Sequence, residues 1–245
     1  MANAIRLDVS PDPEQMAVRA AAWFAERIAA TTEIFRVALS GGSTPRRLYR
    51  QLASADCHDR IEWRRVELFW GDERFVPHTD PRSNYRMVRE TLLAQAPILI
   101  DHVHPIITEG DPVSAAYRYE MLLKTIYGSD LLVEGNPLFD LVLLGVGEDG
   151  HTASLFPRSP VLKEQARWMA ETSGRDEPRI TLTYPALNSN CAVAFLVTGG
   201  NKAEIVRRVV QDGDDTLPAT HVRSEGEIVW FLDAAVANKI DASRK

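Results

Sequence analysis

Leu141 to Leu144 is an unbroken apolar run that stops at Gly145-Val146-Gly147 and passes directly into Glu148, Asp149, Gly150 and His151. A short run without polar alternation has no face to offer water, so it reads as a strand buried on both sides. Strands of that kind belong to parallel sheets covered by helices on both faces, which restricts the chain to the α/β class. The turn beyond the run opens at the strand's carboxyl end, where open α/β sheets take their ligands. Glycines there let a ligand approach the backbone closely. An imidazole is the side chain suited to proton transfer near neutral pH, and Asp149 stands two residues before it to orient the ring. That is the layout of a general base.

The rest of the chain repeats the alternation. Asp12 before Pro13 is an N-cap followed by a helix-starting proline, and Val18, Ala21, Ala22, Ala25 and Ile28 recur at helical spacing. Ile34 to Leu39 reads as a strand, and Thr44-Pro45 opens a second helix. Val66 to Trp70 is a strand that runs into Gly71-Asp72-Glu73-Arg74, read as a loop on the ligand side. Helical patterns follow at Asn84–Gln95 and from Asp111-Pro112 to Gly128, then strands at 139–144, 179–184, 191–197 and 228–232, with a helix over 201–211. The expectation is one α/β domain over residues 1–245, with a mostly parallel, doubly wound sheet.

Composition narrows the partners. A formal net charge of -6 speaks against nucleic acid as the main partner, and no apolar run approaches the roughly 18–20 residues that span a bilayer. The N-terminal MANAIRLDVS lacks the apolar core of a signal peptide. Cys57 and Cys191 have no metal-ligand spacing, and Cys191 opens an apolar run as a buried small hydrophobe. These features imply a cytoplasmic protein with no nucleic-acid or membrane partner. Oligomeric state is not legible.

Three further turns offer polar groups on the ligand side. Ser40-Gly41-Gly42-Ser43-Thr44-Pro45 enters a helix, and its N–H groups, hydroxyls and helix dipole suit an anion. It lacks both the P-loop ending and the dinucleotide fingerprint. Asp72, Glu73 and Arg74 follow a strand end, two acids and an arginine placed to bind sugar hydroxyls and a phosphate or developing oxyanion. Lys202 sits in a first helical turn, where it opposes the macrodipole unless an anion is present. Arg179 precedes a strand and is a second candidate cation. The remaining histidines, His102 and His104 included, have no ligand spacing and read as surface or satisfied polar residues.

Taken together, LSGGSTP (39–45), FWGDERFVP (69–77), SNYRMVRETLL (83–93), GVGEDGHTASLFP (145–157), RITLTYPALN (179–188) and VTGGNKAEIVRRV (197–209) resemble the 6-phosphogluconolactonase family over almost the whole chain. That family is related to the glucosamine-6-phosphate deaminases and isomerases. The resemblance implies a three-layer αβα sandwich and hydrolysis of a phosphosugar lactone, 6-phospho-D-glucono-1,5-lactone, without cofactor or metal. It implies catalytic roles for His151, Asp149, Asp72 and Arg74. Substrate binding then falls to Gly41, Gly42, Ser43, Arg179 and Lys202. Arg158 departs from the pattern, since the family usually has glycine after Leu-Phe-Pro. The related deaminases carry Phe-Asn-Glu-Pro where this chain has Ser154-Leu155-Phe156-Pro157, and phenylalanine cannot relay a proton as that glutamate does. A sugar-phosphate sensor is the other alternative, but the chain offers no output module or basic patch.

Overall fold

The computed structural model describes residues 5–174 and 176–240. Seven strands form one all-parallel sheet: β1 (Ile5–Ser10), β2 (Phe35–Leu39), β3 (Val66–Trp70), β5 (Val103–His104), β6 (Leu141–Leu144), β9 (Ala192–Val197) and β10 (Glu227–Asp233). Their order across the sheet is β1-β10-β9-β6-β2-β3-β5. From β2 the chain steps outward through β3 to β5, and from β6 it steps the other way through β9 to β10. The order therefore reverses between β2 and β6, whose pairing matches Val37 with Leu141 and Ala38 with Val142. Ligands of doubly wound sheets bind at that reversal.

The helices α1 (Pro13–Ala29), α2 (Ser43–Leu52), α3 (Ala55–His58), α4 (Asn84–Val88), α5 (Pro112–Tyr127), α6 (Tyr184–Leu187), α7 (Ala203–Val210) and α8 (Ala234–Ala237) flank the sheet. Asp12 caps α1 by accepting from Glu14 N and Gln15 N, and Asp111 caps α5 through Ser114 N. Gly128 closes α5 in the left-handed conformation. The strand residues of β2, β3, β6 and β9 are buried almost throughout: β6 and β9 are unbroken apolar runs, and β2 and β3 each carry one half-buried charged residue, Arg36 and Glu67. Buried tyrosines from two helices seal the ends of three strands. The Tyr49 hydroxyl donates to Ser40 O at 2.8 Å and accepts from Ser40 N at 3.0 Å. Tyr119 does the same between His104 O and Trp70 N.

Three expectations need correction. Residues 179–184 do not join the parallel sheet: β8 (Pro178–Leu182) is the middle strand of a separate antiparallel sheet, between β4 (Asp72–Arg74) and β7 (Met169–Ser173). Asp72–Arg74, read as a loop, is the strand β4. The cause is local. Gly71 N donates to Leu39 O in the large sheet while Gly71 O accepts from Leu182 N in the small one, so the chain crosses between sheets at that residue. The helix expected over Asn84–Gln95 also changes character, since α4 widens after Val88 into a π turn over Arg89–Leu93.

Candidate active site

The carboxyl ends of β2, β6 and β9 and the strand β4 surround a cavity of about 270 Å³, at the small end of ligand pockets. On one side α2 begins. Ser43 and Thr44 line the cavity, and the first N–H groups of such a ten-residue helix have no intrahelical acceptor. Thr44 Oγ1 lies 2.9 Å from Thr198 Oγ1, which ties the turn after β2 to the turn after β9. Lys202 lines the cavity from the N-cap of α7. The Gly199 N–H is held in place by Asp233, which also caps α8 through Val236 N. Gly41 contributes bare backbone because nothing larger fits: a Cβ there would lie 1.9 Å from Asn84 Oδ1.

Across the cavity stands the turn after β6. Gly147 N donates to His151 O at 2.8 Å and Gly150 N to Gly147 O at 3.0 Å, which folds the turn back on itself. Asp149 Oδ1 then meets His151 Nδ1 at 2.5 Å and accepts from His151 N at 3.2 Å. A carboxylate only accepts, so in the neutral imidazole the proton sits on Nδ1 and Nε2 keeps its lone pair. Burial raises the Asp149 carboxyl, but the hydrogen bond and charge of His151 outweigh it and hold the group below its usual range. Gly147 is essential to this pair, because a Cβ would fall 2.1 Å from His151 Nδ1. The ring of Phe156 lies 4.7 Å from the imidazole, centroid to centroid.

The third wall is β4. Asp72 is buried, accepts from Ser154 Oγ at 2.6 Å, and lines the cavity beside Arg74. Arg74 Nη1 donates to Arg82 O at 2.6 Å and to Asn84 Oδ1 at 2.9 Å. In the antiparallel register Arg74 faces Arg179, a like-charge pair that costs stability. Burial, and after it the charge of Arg74, pushes the Arg179 guanidinium down from its ordinary value. The Nε atoms of both arginines are buried without a hydrogen-bond partner among the described residues. Two cations held together this way suit an anion.

Most of the expected site residues therefore meet. Gly41, Gly42, Ser43, Asp72, Arg74, His151 and Lys202 line one cavity, with Asp149 bonded behind His151. Arg179 is not on the cavity wall: its guanidinium lies over the Phe156 ring and pairs with Glu177 at 3.0 Å. Sequence reasoning overlooked Asn84, and it took Glu73 for a second acid on the ligand side. Asn84 lines the cavity, and Glu73 is fully buried at its edge. His104 is a satisfied polar residue as expected, bonded through Nε2 to Glu67 at 2.8 Å.

Residues 11–230 match the family model described as glucosamine-6-phosphate isomerases/6-phosphogluconolactonase. The chain is 38% identical over 210 residues to the 6-phosphogluconolactonase of Nostoc sp., covering 84% of this chain and 85% of that one. It is 40% identical over 202 residues to the 6-phosphogluconolactonase of Synechocystis sp., covering 80% and 81% respectively. The chain belongs to the 6-phosphogluconolactonase family. Its fold also matches the solved 6-phosphogluconolactonase of Trypanosoma brucei with a TM-score of 0.84 at 28% identity, covering 98% of this chain and all 100% of that one. Within this lactonase family framework Arg158 keeps a φ of +66°, the left-handed conformation that glycine adopts without strain. Among the described residues no three His, Cys, Asp or Glu side chains are grouped as a metal site, and no helix is long and apolar enough to cross a membrane.

Proposed function

We propose that the protein hydrolyses 6-phospho-D-glucono-1,5-lactone to 6-phospho-D-gluconate, the lactone step of the oxidative pentose phosphate pathway, with His151 activating the attacking water. Family membership supports the coarser statement, that the chain is a 6-phosphogluconolactonase and so a carboxylic ester hydrolase. The observation that carries the finer one is the single cavity with a helix-start anion cradle on one side and the Asp149–His151 pair on the other. The backbone at Gly41 and Gly42, the Ser43 hydroxyl and the Lys202 ammonium hold the phosphate. Arg179, behind Arg74, adds positive potential without touching the cavity.

The chemistry then runs between fixed groups. His151 Nε2 takes a proton from water as its oxygen bonds to C1, and Asp149 stabilises the imidazolium. The carbonyl electron pair moves onto the exocyclic oxygen, where the Arg74 guanidinium offsets the charge. When the tetrahedral species collapses, the C1–O5 bond breaks and the imidazolium returns its proton to O5. Asp72, held by Ser154, is placed to orient the sugar hydroxyls. Phe156, against the imidazole, provides no acid for the ring opening and C1–C2 proton transfer of an amino sugar phosphate, which favours the lactonase over the deaminase reading. One hydrophobic core that takes in residues of both sheets supports a single lactonase domain over residues 1–245. The free thiols of Cys57 and Cys191 suit the cytoplasm.

The test is acid release from freshly generated lactone with wild type and His151→Ala. The variant should lose roughly 10²–10⁴-fold in kcat with KM little changed, as expected for a group acting mainly in the transition state. A kcat within about threefold of wild type would remove His151 from the mechanism.

A further inference from the structure

Glu73 is the one residue of β4 that does not face the cavity, and its side chain is completely buried. Its carboxylate accepts from Arg74 N at 2.8 Å, Asn84 N at 2.7 Å, Tyr85 N at 2.7 Å and Ser83 Oγ at 3.1 Å. One anion thus clamps the backbone of Arg74 to the start of α4. Burial pushes the carboxyl up to about 7, against the pull of those backbone N–H groups. A buried carboxylate is a costly way to start a five-residue helix, and Ser83 already caps it through Arg86 N. The arrangement is better explained by what it delivers, which is Asn84.

The Asn84 side chain divides its two ends between two parts of the site. Oδ1 accepts from Arg74 Nη1 at 2.9 Å, and Nδ2 donates to Asp72 O at 2.9 Å, with Asp72 Oδ1 a further 3.4 Å contact. The same amide lies so close to Gly41 that no Cβ could be built there. Asn84 therefore touches the oxyanion cation, the sugar-orienting acid and the phosphate turn, and it is itself buried. Arg74 needs such a partner. Its Nε makes no hydrogen bond among the described residues, and the facing Arg179 repels it. Without an acceptor at Asn84, only Arg82 O would fix the guanidinium.

We propose that Asn84, clamped by the buried carboxylate of Glu73, is a positioning residue that sets the Arg74 guanidinium against the reacting carbonyl. The inference rests on the lactonase reading. It assigns Asn84 no proton transfer and no contact with the leaving group. Its effect passes through Arg74.

A double-mutant cycle in kcat tests it: wild type, Arg74→Ala, Asn84→Ala and the double variant, with thermal melts of each. Asn84→Ala should lower kcat about 10–100-fold while KM stays within about threefold. In the Arg74→Ala background the same change should cost less than about threefold, because its target is gone. Equal losses in both backgrounds would overturn the proposal and leave Asn84 a residue acting on its own. A melt lowered in step with activity would likewise reduce it to a structural part. If Asn84→Ala does not fold, Asn84→Ser replaces it in the same cycle. An inactive wild type would sink the lactonase reading and this inference with it, whereas an active wild type with multiplicative losses sinks this inference alone.

Discussion

Arg158 occupies a conformation that its own Cβ resists. An L-residue in the left-handed region costs about 1–2 kcal/mol, whereas glycine there gives up about 0.5–1 kcal/mol through its freer unfolded chain. The side chain is exposed and so has little packing to lose. Arg158→Gly should therefore raise unfolding stability by up to about 1 kcal/mol, read as a higher denaturant midpoint with an unchanged slope. A lower midpoint would mean that the guanidinium makes a stabilising contact larger than the strain. At this scale the candidate site, as a set of residues that meet at one cavity, was legible wherever a residue type is rare in its setting. A histidine with an aspartate in a glycine turn, or a lysine opposing a helix dipole, has little structural reason to be there. Asn84 and Glu73 gave no such signal. Asparagine at a helix start is an ordinary cap residue, and a glutamate between an aspartate and an arginine looks like a solvated charge run. Only folding shows that this carboxylate is buried and fully bonded.

The elements divide along the same line. β2, β3, β6, β9 and β10 announce themselves as largely apolar runs because both faces are covered. β4 is three charged residues, and nothing in Asp-Glu-Arg suggests a strand; pairing with β8 makes it one. β1 inverts the usual pattern, with Ile5 and Val9 exposed while Asp8 is buried against Arg19 at 2.8 Å. Across β2, β3 and β5 a polar row links Arg36, Glu67 and His104, with Glu67 at 3.2 Å from Arg36 Nε and 2.8 Å from His104 Nε2. Burial raises the Glu67 carboxyl, but those two partners hold it below its ordinary 4.5. A depressed carboxyl contributes stability above its unfolded value, and that stability is lost as pH falls through the folded value. Glu67→Gln should thus melt below wild type at neutral pH by the equivalent of about 1.5–3 kcal/mol. The gap should narrow as pH drops below 4.5. A gap that stays constant into acid would show that charge at Glu67 is not what stabilises the row.

At the scale of the whole molecule, the cavity lies on the seam where strand order reverses. One part of the wall comes from β2 and β4, the other from β6 and β9, and the chain passes between them through an exposed stretch after α5, where Leu131 is 75% exposed. A single proteolytic cut there should leave the two pieces associated and active, since β2–β6 pairing and the shared core cross the break. Separation of the fragments under native conditions, or loss of most of the activity, would show that the connection itself holds the seam closed.

The pairing of β1 with β10 has a consequence for how the molecule is made. Ile5 pairs with Ile228, and β10 is the sole neighbour of β1 in the sheet. β1 leaves the ribosome long before β10 and cannot dock until β10 has emerged. Throughout synthesis Ile5, Leu7 and Val9 wait beside a half-built sheet whose own edge, β9, is open and apolar. Contacts that span so much of the chain close slowly, and an unpaired apolar edge invites association with other chains in the meantime. The order in which this chain is synthesised thus runs against the order of its sheet, and these strands are most exposed to aggregation just before β10 appears.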